Sequence, residues 1–183
     1  MGKIISCIDD PLRQFITSQP LFFVGSAPLD PGGHVNISPK GLDTLRILGP
    51  TTVAYLDLTG SGIETISHLK ENGRIVLMFC AFQGPPKIVR LYGKGRPIEP
   101  QEQEFAKVAA EFPNFNGTRA IILIEISRIA DSCGFSVPLM KLEAERTQLT
   151  AWSSKKGSEG LKRYRSEKNQ RSIDGLPGLK ATL

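Results

Sequence analysis

The feature that most constrains this chain is a strand–corner–helix–strand pattern between Thr51 and Ala81. Thr51–Leu58 is rich in β-branched and aromatic residues, the composition of a half-buried strand. Gly60-Ser61-Gly62 ends it, because glycine accepts the backbone angles that a strand-to-helix corner needs. Ser61 and Glu64 then stand at the spacing of a capping box, and Ile63, Ile66 and Leu69 recur on one helical face. Asn72-Gly73 stops that helix, and Arg74–Ala81 reads as the next strand. A glycine corner that opens a helix offers unpaired N–H groups and the positive end of the helix dipole to an anion. Two readings stay open. Either the corner holds a phosphate, or Ser61 and Glu64 satisfy its donors between themselves and Glu64 repels one. No G-x-G-x-x-G dinucleotide fingerprint occurs at this corner.

The flanking sequence supplies more strands. Asp9-Asp10-Pro11 is a helix start, an acidic cap followed by proline in the first turn, and predicts a short helix over about Pro11–Ser18. Leu21–Ala27 reads as a strand and Pro28–Gly33 as the turn that joins it to His34–Ser38, which runs into Pro39-Lys40-Gly41. Lys87–Ile98 alternates as a long strand, bent where Gly93 and Gly95 fall. Pro100–Phe112 predicts a helix with Phe105, Val108 and Ala109 as its apolar stripe. Arg119–Ala130 is apolar almost throughout its first half and predicts a central, buried strand. Ser132-Cys133-Gly134 and Phe135–Met140 follow it.

A length of 183 residues with 40% hydrophobic and 22% charged residues predicts one soluble globular domain. No apolar run reaches the roughly 18 residues of a membrane span, and no signal-peptide core is visible. Cys7, Cys80 and Cys133 form no CxxC pair, which suits a reduced, cytoplasmic protein, so the sequon Asn116-Gly117-Thr118 carries no weight. The opening MGKIIS matches the loose myristoylation pattern, with Cys7 beside it, and a chance match is the alternative. His34 and His68 have no ligand-spaced cysteine or acidic cluster, so no zinc site is expected. His68 stands one turn past Glu64 and is expected to pair with it. No nucleophile–histidine arrangement stands out.

After Trp152 the composition changes. Ser153–Arg171 carries seven Lys/Arg against Glu159 and Glu167, a net charge equal to the +5 of the whole chain, so the remainder is balanced. Such a run serves nucleic acid or acidic membrane, or is a solvated extension. Tyr164 is its one aromatic residue, which gives base stacking little support. With few apolar residues, the segment is expected to be dispensable for the fold.

The order HVNISPKG, strand, TGSGIET helix, RIVLMF and KIVRLYGKG resembles the pyridoxamine 5′-phosphate oxidase-related family of FMN-binding split barrels. It is most similar to a subgroup that shares GHVN(V/I)SPKG and GSGIET. The resemblance covers residues 20–98 and extends less fully to SCGFSVP. It implies a mainly β fold with flanking helices, a six-stranded antiparallel split β-barrel over residues 1–152; the change in composition sets off 153–183 as a basic C-terminal extension of the same domain. The resemblance implies a homodimer with FMN in the subunit groove and a flavin-dependent oxidoreductase of unstated substrate, cytoplasmic and without a nucleic-acid partner. By position in the motifs, Asn36, Ser38 and Lys40 would meet the flavin, with Ser61, Gly62, Glu64 and Thr65 at the corner. Trp152 and the tail would reach a partner's flavin. The chain departs from the family pattern where a basic helix-start pair aligns with Glu64-Thr65 and a glutamine position aligns near Ile88. Lys40, Lys87 and Arg90 are then the candidates to balance phosphate charge. No general base is assigned. The alternative is a non-catalytic flavin or haem carrier, or an interaction module with a basic tail.

Overall fold

The computed structural model describes residues 4–180, so Gly2 of the myristoylation pattern lies outside the described residues. In chain order the elements are β1 (Ile4–Ile5), α1 (Asp10–Thr17), β2 (Phe22–Ser26), β3 (Asn36–Lys40), β4 (Leu45–Ile47) and β5 (Thr52–Leu58). Then come α2 (Glu64–Glu71), β6 (Arg74–Cys80), β7 (Ile88–Ile98), α3 (Gln103–Ala109), β8 (Thr118–Ser132) and α4 (Gln148–Lys168). The strands pair antiparallel in the order β3-β2-β6-β7-β8-β5-β4, with β1 added to β8, and curl into a split barrel. The six expected strands are all present. Two more, β1 and β4, span only two and three residues, too short to show a period-two alternation in sequence.

Alternation decides which side chains fill the barrel. Val53 and Tyr55 of β5, with Ala120, Ile122, Ile124 and Ile126 of β8, enter the main core with Phe22, Leu77 and Leu91. Their neighbours Ala54, Leu56 and Ile121 face the other way, onto Val108 and Phe112 in and after α3. β5 and the first half of β8 are therefore buried on both faces, which is why their sequences read as nearly continuous apolar runs. The bend expected in β7 is a register shift between Tyr92 and Gly93. A Cβ at Gly93 would overlap the Glu125 carbonyl oxygen, so only glycine lets the strands approach this closely.

The helix starts differ. Asp9 caps α1, accepting from the Leu12 N–H at 2.9 Å, as expected. The capping box at α2 does not form. That helix begins at Glu64 with Ile63 as N-cap and no side-chain cap, so Ser61 stands outside the capping position. The Glu64 carboxylate accepts instead from the Ile173 N–H at 3.4 Å. His68 is fully buried, and its Nδ1 meets the Ser26 hydroxyl at 3.0 Å rather than Glu64.

The segment after Trp152 folds back onto the barrel. Leu161 is buried and Leu179 packs against the main core, while Ser153, Asn169 and Ser172 are buried polar residues. The Asn169 amide donates to the carbonyls of Gly60 (2.9 Å) and Ser61 (3.2 Å), and its oxygen accepts from Arg119 at 3.0 Å. Lys70 joins Glu99 (2.6 Å) to the Gly178 carbonyl, and Glu99 also accepts from the Lys180 N–H at 3.0 Å. The expectation of a dispensable tail rested on its scarcity of apolar residues. Buried hydrogen bonds hold it where apolar area does not.

At the centre of these contacts lies Asp57, 1% exposed, with one oxygen 2.9 Å from Lys40 Nζ and the other 2.7 Å from Arg119 Nε. Burial pushes its carboxyl up, but Arg119 and Lys40 more than offset this and hold it below the usual carboxylate range.

This packing has two measurable consequences. A chain ended after Trp152 should melt at least about 5 °C below the full-length protein by calorimetry, since it loses Leu161 and leaves Arg119 without Asn169. An unchanged melting temperature would make the tail a solvated appendage. Asp57→Asn should cost about 3–5 kcal/mol at pH 7 in urea unfolding, because it strands buried cations. The depressed carboxyl contributes stability above its unfolded pKa of about 4 and loses it as pH falls through the lower folded value. The gap between wild type and variant should therefore close below about pH 4.

Candidate functional site

β3, the end of β5, the glycine corner and the first turn of α2 enclose a groove of about 540 Å³. Residues 144–146 and Leu149, from the approach to α4 and its first turn, form the opposite wall. Asn36, Ser38, Lys40, Gly62, Glu64 and Thr65 all line it. The pleat explains the first three: alternate residues of β3 share one face of the sheet.

Four other residues singled out in the sequence lie elsewhere. Ser61 lends its carbonyl to Asn169. The Lys87 ammonium sits 4.9 Å from the centre of the Phe15 ring. Arg90 donates to the Ser132 hydroxyl at 3.0 Å. Trp152 packs edge-on against Tyr164 at 5.0 Å, with Lys156 over both rings.

Within the groove the polar groups are ordered by one another. Asn36 Nδ2 donates to the Thr65 hydroxyl at 3.0 Å and to Ser38 at 3.2 Å, which ties β3 to α2. Arg119 spends its guanidinium on the wall: Nε on Asp57, one terminal nitrogen on the Gly60 carbonyl (3.0 Å) and Asn169, the other on the Gly62 carbonyl (2.7 Å). The corner is thus held by its carbonyls, from behind. Thr59 is fixed the same way, its hydroxyl donating to the Gly117 carbonyl at 2.7 Å and accepting from Arg165 at 2.9 Å.

Lys40, Arg119 and Arg146 line the groove against Asp57, Glu64 and Glu145, so its ionised side chains balance. Arg146 forms no ion pair or hydrogen bond among the described residues. The Glu64 carboxylate turns back over the corner, where a Cβ on Gly62 would lie 2.7 Å from its oxygen. A carboxylate therefore occupies the helix start that a glycine corner otherwise leaves open to an anion. Among the described residues no cluster of three or more His, Cys, Asp or Glu could hold a metal ion.

Sequence reasoning missed Asp57, Arg119 and Asn169. Asp57 and Arg119 gave a signal, Asp57 as the one charge within the apolar strand β5 and Arg119 as the charge at the head of β8.

Comparison with known proteins identifies the frame that carries this groove. The family model described as pyridoxamine 5′-phosphate oxidase matches residues 8–133. The pyridoxamine 5′-phosphate oxidase family protein ustO of Aspergillus flavus is 40% identical over 193 residues, spanning 96% of this chain and 77% of that protein. Among solved structures, HupZ from group A Streptococcus superposes with a TM-score of 0.53 at 22% identity, over 67% of this chain and 91% of that one. A Lactobacillus delbrueckii protein described as a candidate pyridoxamine 5′-phosphate oxidase gives 0.52 at 18% identity, over 70% and 97%. At these identities the two structures speak for the fold alone. With its barrel covered by the family model and nearly its whole length aligned to ustO, the chain belongs to the pyridoxamine 5′-phosphate oxidase family.

Proposed function

We propose that this chain is an FMN-dependent oxidoreductase that works as a homodimer, with the flavin in the groove beside the glycine corner. The observation that carries the reading is the convergence of β3 and the corner, two segments distant in sequence, on one groove in a member of this family. The groove fits a flavin in size and in donors. Its 540 Å³ lies in the range of small-molecule clefts, and Pro39, Leu42, Leu56 and Leu58 give it apolar wall for a flat ring. Asn36, Ser38 and Thr65 would meet the polar edge of the isoalloxazine. Lys40, and Arg146 with its uncommitted guanidinium, would meet the phosphate. Because Glu64 fills the helix start, the phosphate would lie toward these cations and not on the first turn of α2.

The bound flavin would supply hydride acceptance, and the protein binds and orients it. Asp57 is not arranged as a free general base: both its oxygens are engaged, and its carboxyl is held ionised. Its role is therefore position and charge.

A second copy of the chain is supported by an apolar stretch without a cover. Residues 135–147 have no helix or strand, and Phe135 and Leu139 are 82% and 78% exposed, with Met140 and Leu142 beside them. Exposed apolar side chains grouped along one loop suit an interface. A partner would also be the route by which Lys87, Arg90 or Trp152 could reach a flavin. The cysteines are free, and no described helix is long and apolar enough to cross a membrane; both accord with a cytoplasmic protein.

Titration of the purified protein with FMN should quench flavin fluorescence with a low-micromolar Kd, about −8 kcal/mol. Asn36→Ala should weaken binding about tenfold by removing a groove donor. Flavin that stays unquenched at high protein concentration overturns the proposal. Light scattering should give twice the 20.0 kDa chain mass, and Leu139→Asp should shift it toward the monomer. A flavin-bound wild-type monomer would refute the dimer.

A further inference from the structure

We propose a second ligand site, for the phosphate group of a small phosphate monoester, in the cavity beneath the break in α4. This cavity of about 320 Å³ shares no lining residue with the flavin groove, so the proposal stands apart from the reading of that groove. The α4 helix is interrupted at Gly157, whose φ of 65° and ψ of 177° no helix contains. Residues 158–168 are thus a second helix with its own start, and that start opens the cavity. Unpaired N–H groups and the positive dipole end are placed there.

Three further observations point to an anion. Ser153 is only 2% exposed, lines the cavity, and its hydroxyl has no hydrogen-bond partner among the described residues. The hydroxyl is uncommitted and lines a space large enough for a ligand. Arg165 reaches into the same cavity with its Nε on the Thr59 hydroxyl and one terminal nitrogen on the Thr118 carbonyl at 3.2 Å. Among the described residues it has no carboxylate partner, although burial and then the Arg119 charge both disfavour its cationic form. A half-buried guanidinium in that position lacks a counter-ion. Finally, the lining holds Lys162, Ser154, Ser158 and the Asn116 amide but no carboxylate. Lys162 leans 3.0 Å from Glu159 in an exposed pair and is free to turn inward.

The donor set of two cations, an uncommitted hydroxyl and a helix start suits a dianion with several acceptor oxygens. Leu161 adds an apolar surface for a small organic group, and the volume exceeds what bare phosphate needs.

Trp152, the sole tryptophan, adjoins Ser153 and reports on the cavity without a label. Full-length protein is titrated with inorganic phosphate and with glycerol 3-phosphate at constant ionic strength, with chloride as the control. A saturable change in tryptophan fluorescence is expected, tighter for the ester. Ser153→Ala and Lys162→Gln should each weaken it about tenfold. Lys162 is exposed, so K162Q keeps its melting temperature and isolates the charge from the fold. A change that never saturates, that chloride reproduces, or that both variants show undiminished overturns the site. Tighter binding of inorganic phosphate than of the ester overturns the monoester as its occupant.

Discussion

The buried carboxylate of Asp57, held between Lys40 and Arg119, is the interaction on which the groove depends. A lone ion in that position would be costly, and two cations with direct hydrogen bonds offset the cost. Each partner belongs to a different strand: Lys40 to β3, Asp57 to β5 and Arg119 to β8. The ion cluster therefore fixes the edge strand β3 relative to the central pair, which the β3–β2 ladder alone does not do. Arg119 then carries the restraint outward, through Gly60, Gly62 and Asn169, to the corner and to the tail.

A second, partly buried ion pair works in parallel. Lys70 and Glu99 connect α2, the residue after β7 and the last described residues of the chain, so α2 is fixed at its far end as well as at the corner. Between these two junctions the groove wall has few degrees of freedom. Its lining is also neutral in sum, which separates it from an electrostatic funnel for anions. The groove presents placed donors, whereas the cavity under α4 presents cations without carboxylates.

What the sequence made legible was what local periodicity encodes. Six strands follow from alternation and β-branched content, and the bend in β7 follows from glycine. Helix ends were less legible: Pro100–Phe112 narrows to Gln103–Ala109, because the flanking residues turn without completing the i to i+4 ladder. The box at Ser61 and Glu64 had the right spacing but the wrong helix start, since tertiary contacts to the tail claimed Glu64. Half of the groove was visible because HVNISPKG and GSGIET each form a compact motif. The other half was not. Asp57 and Arg119 are 62 residues apart, Arg119 and Asn169 are 50 apart, and a buried ion pair leaves no period or spacing in a sequence. The tail misled for the same reason, as its basic character hid a few polar residues that are fully buried.

The distance from Arg119 to Asn169 also sets an order of events in the making of the protein. A ribosome adds roughly 5–20 residues per second, so seconds separate the emergence of β8 from that of Asn169. In that interval every strand of the barrel is available to pair, and Asp57 has both its cations. The Gly60 and Ser61 carbonyls still lack the amide that fixes them. Vectorial synthesis therefore completes the barrel first and seals the wall of its groove last.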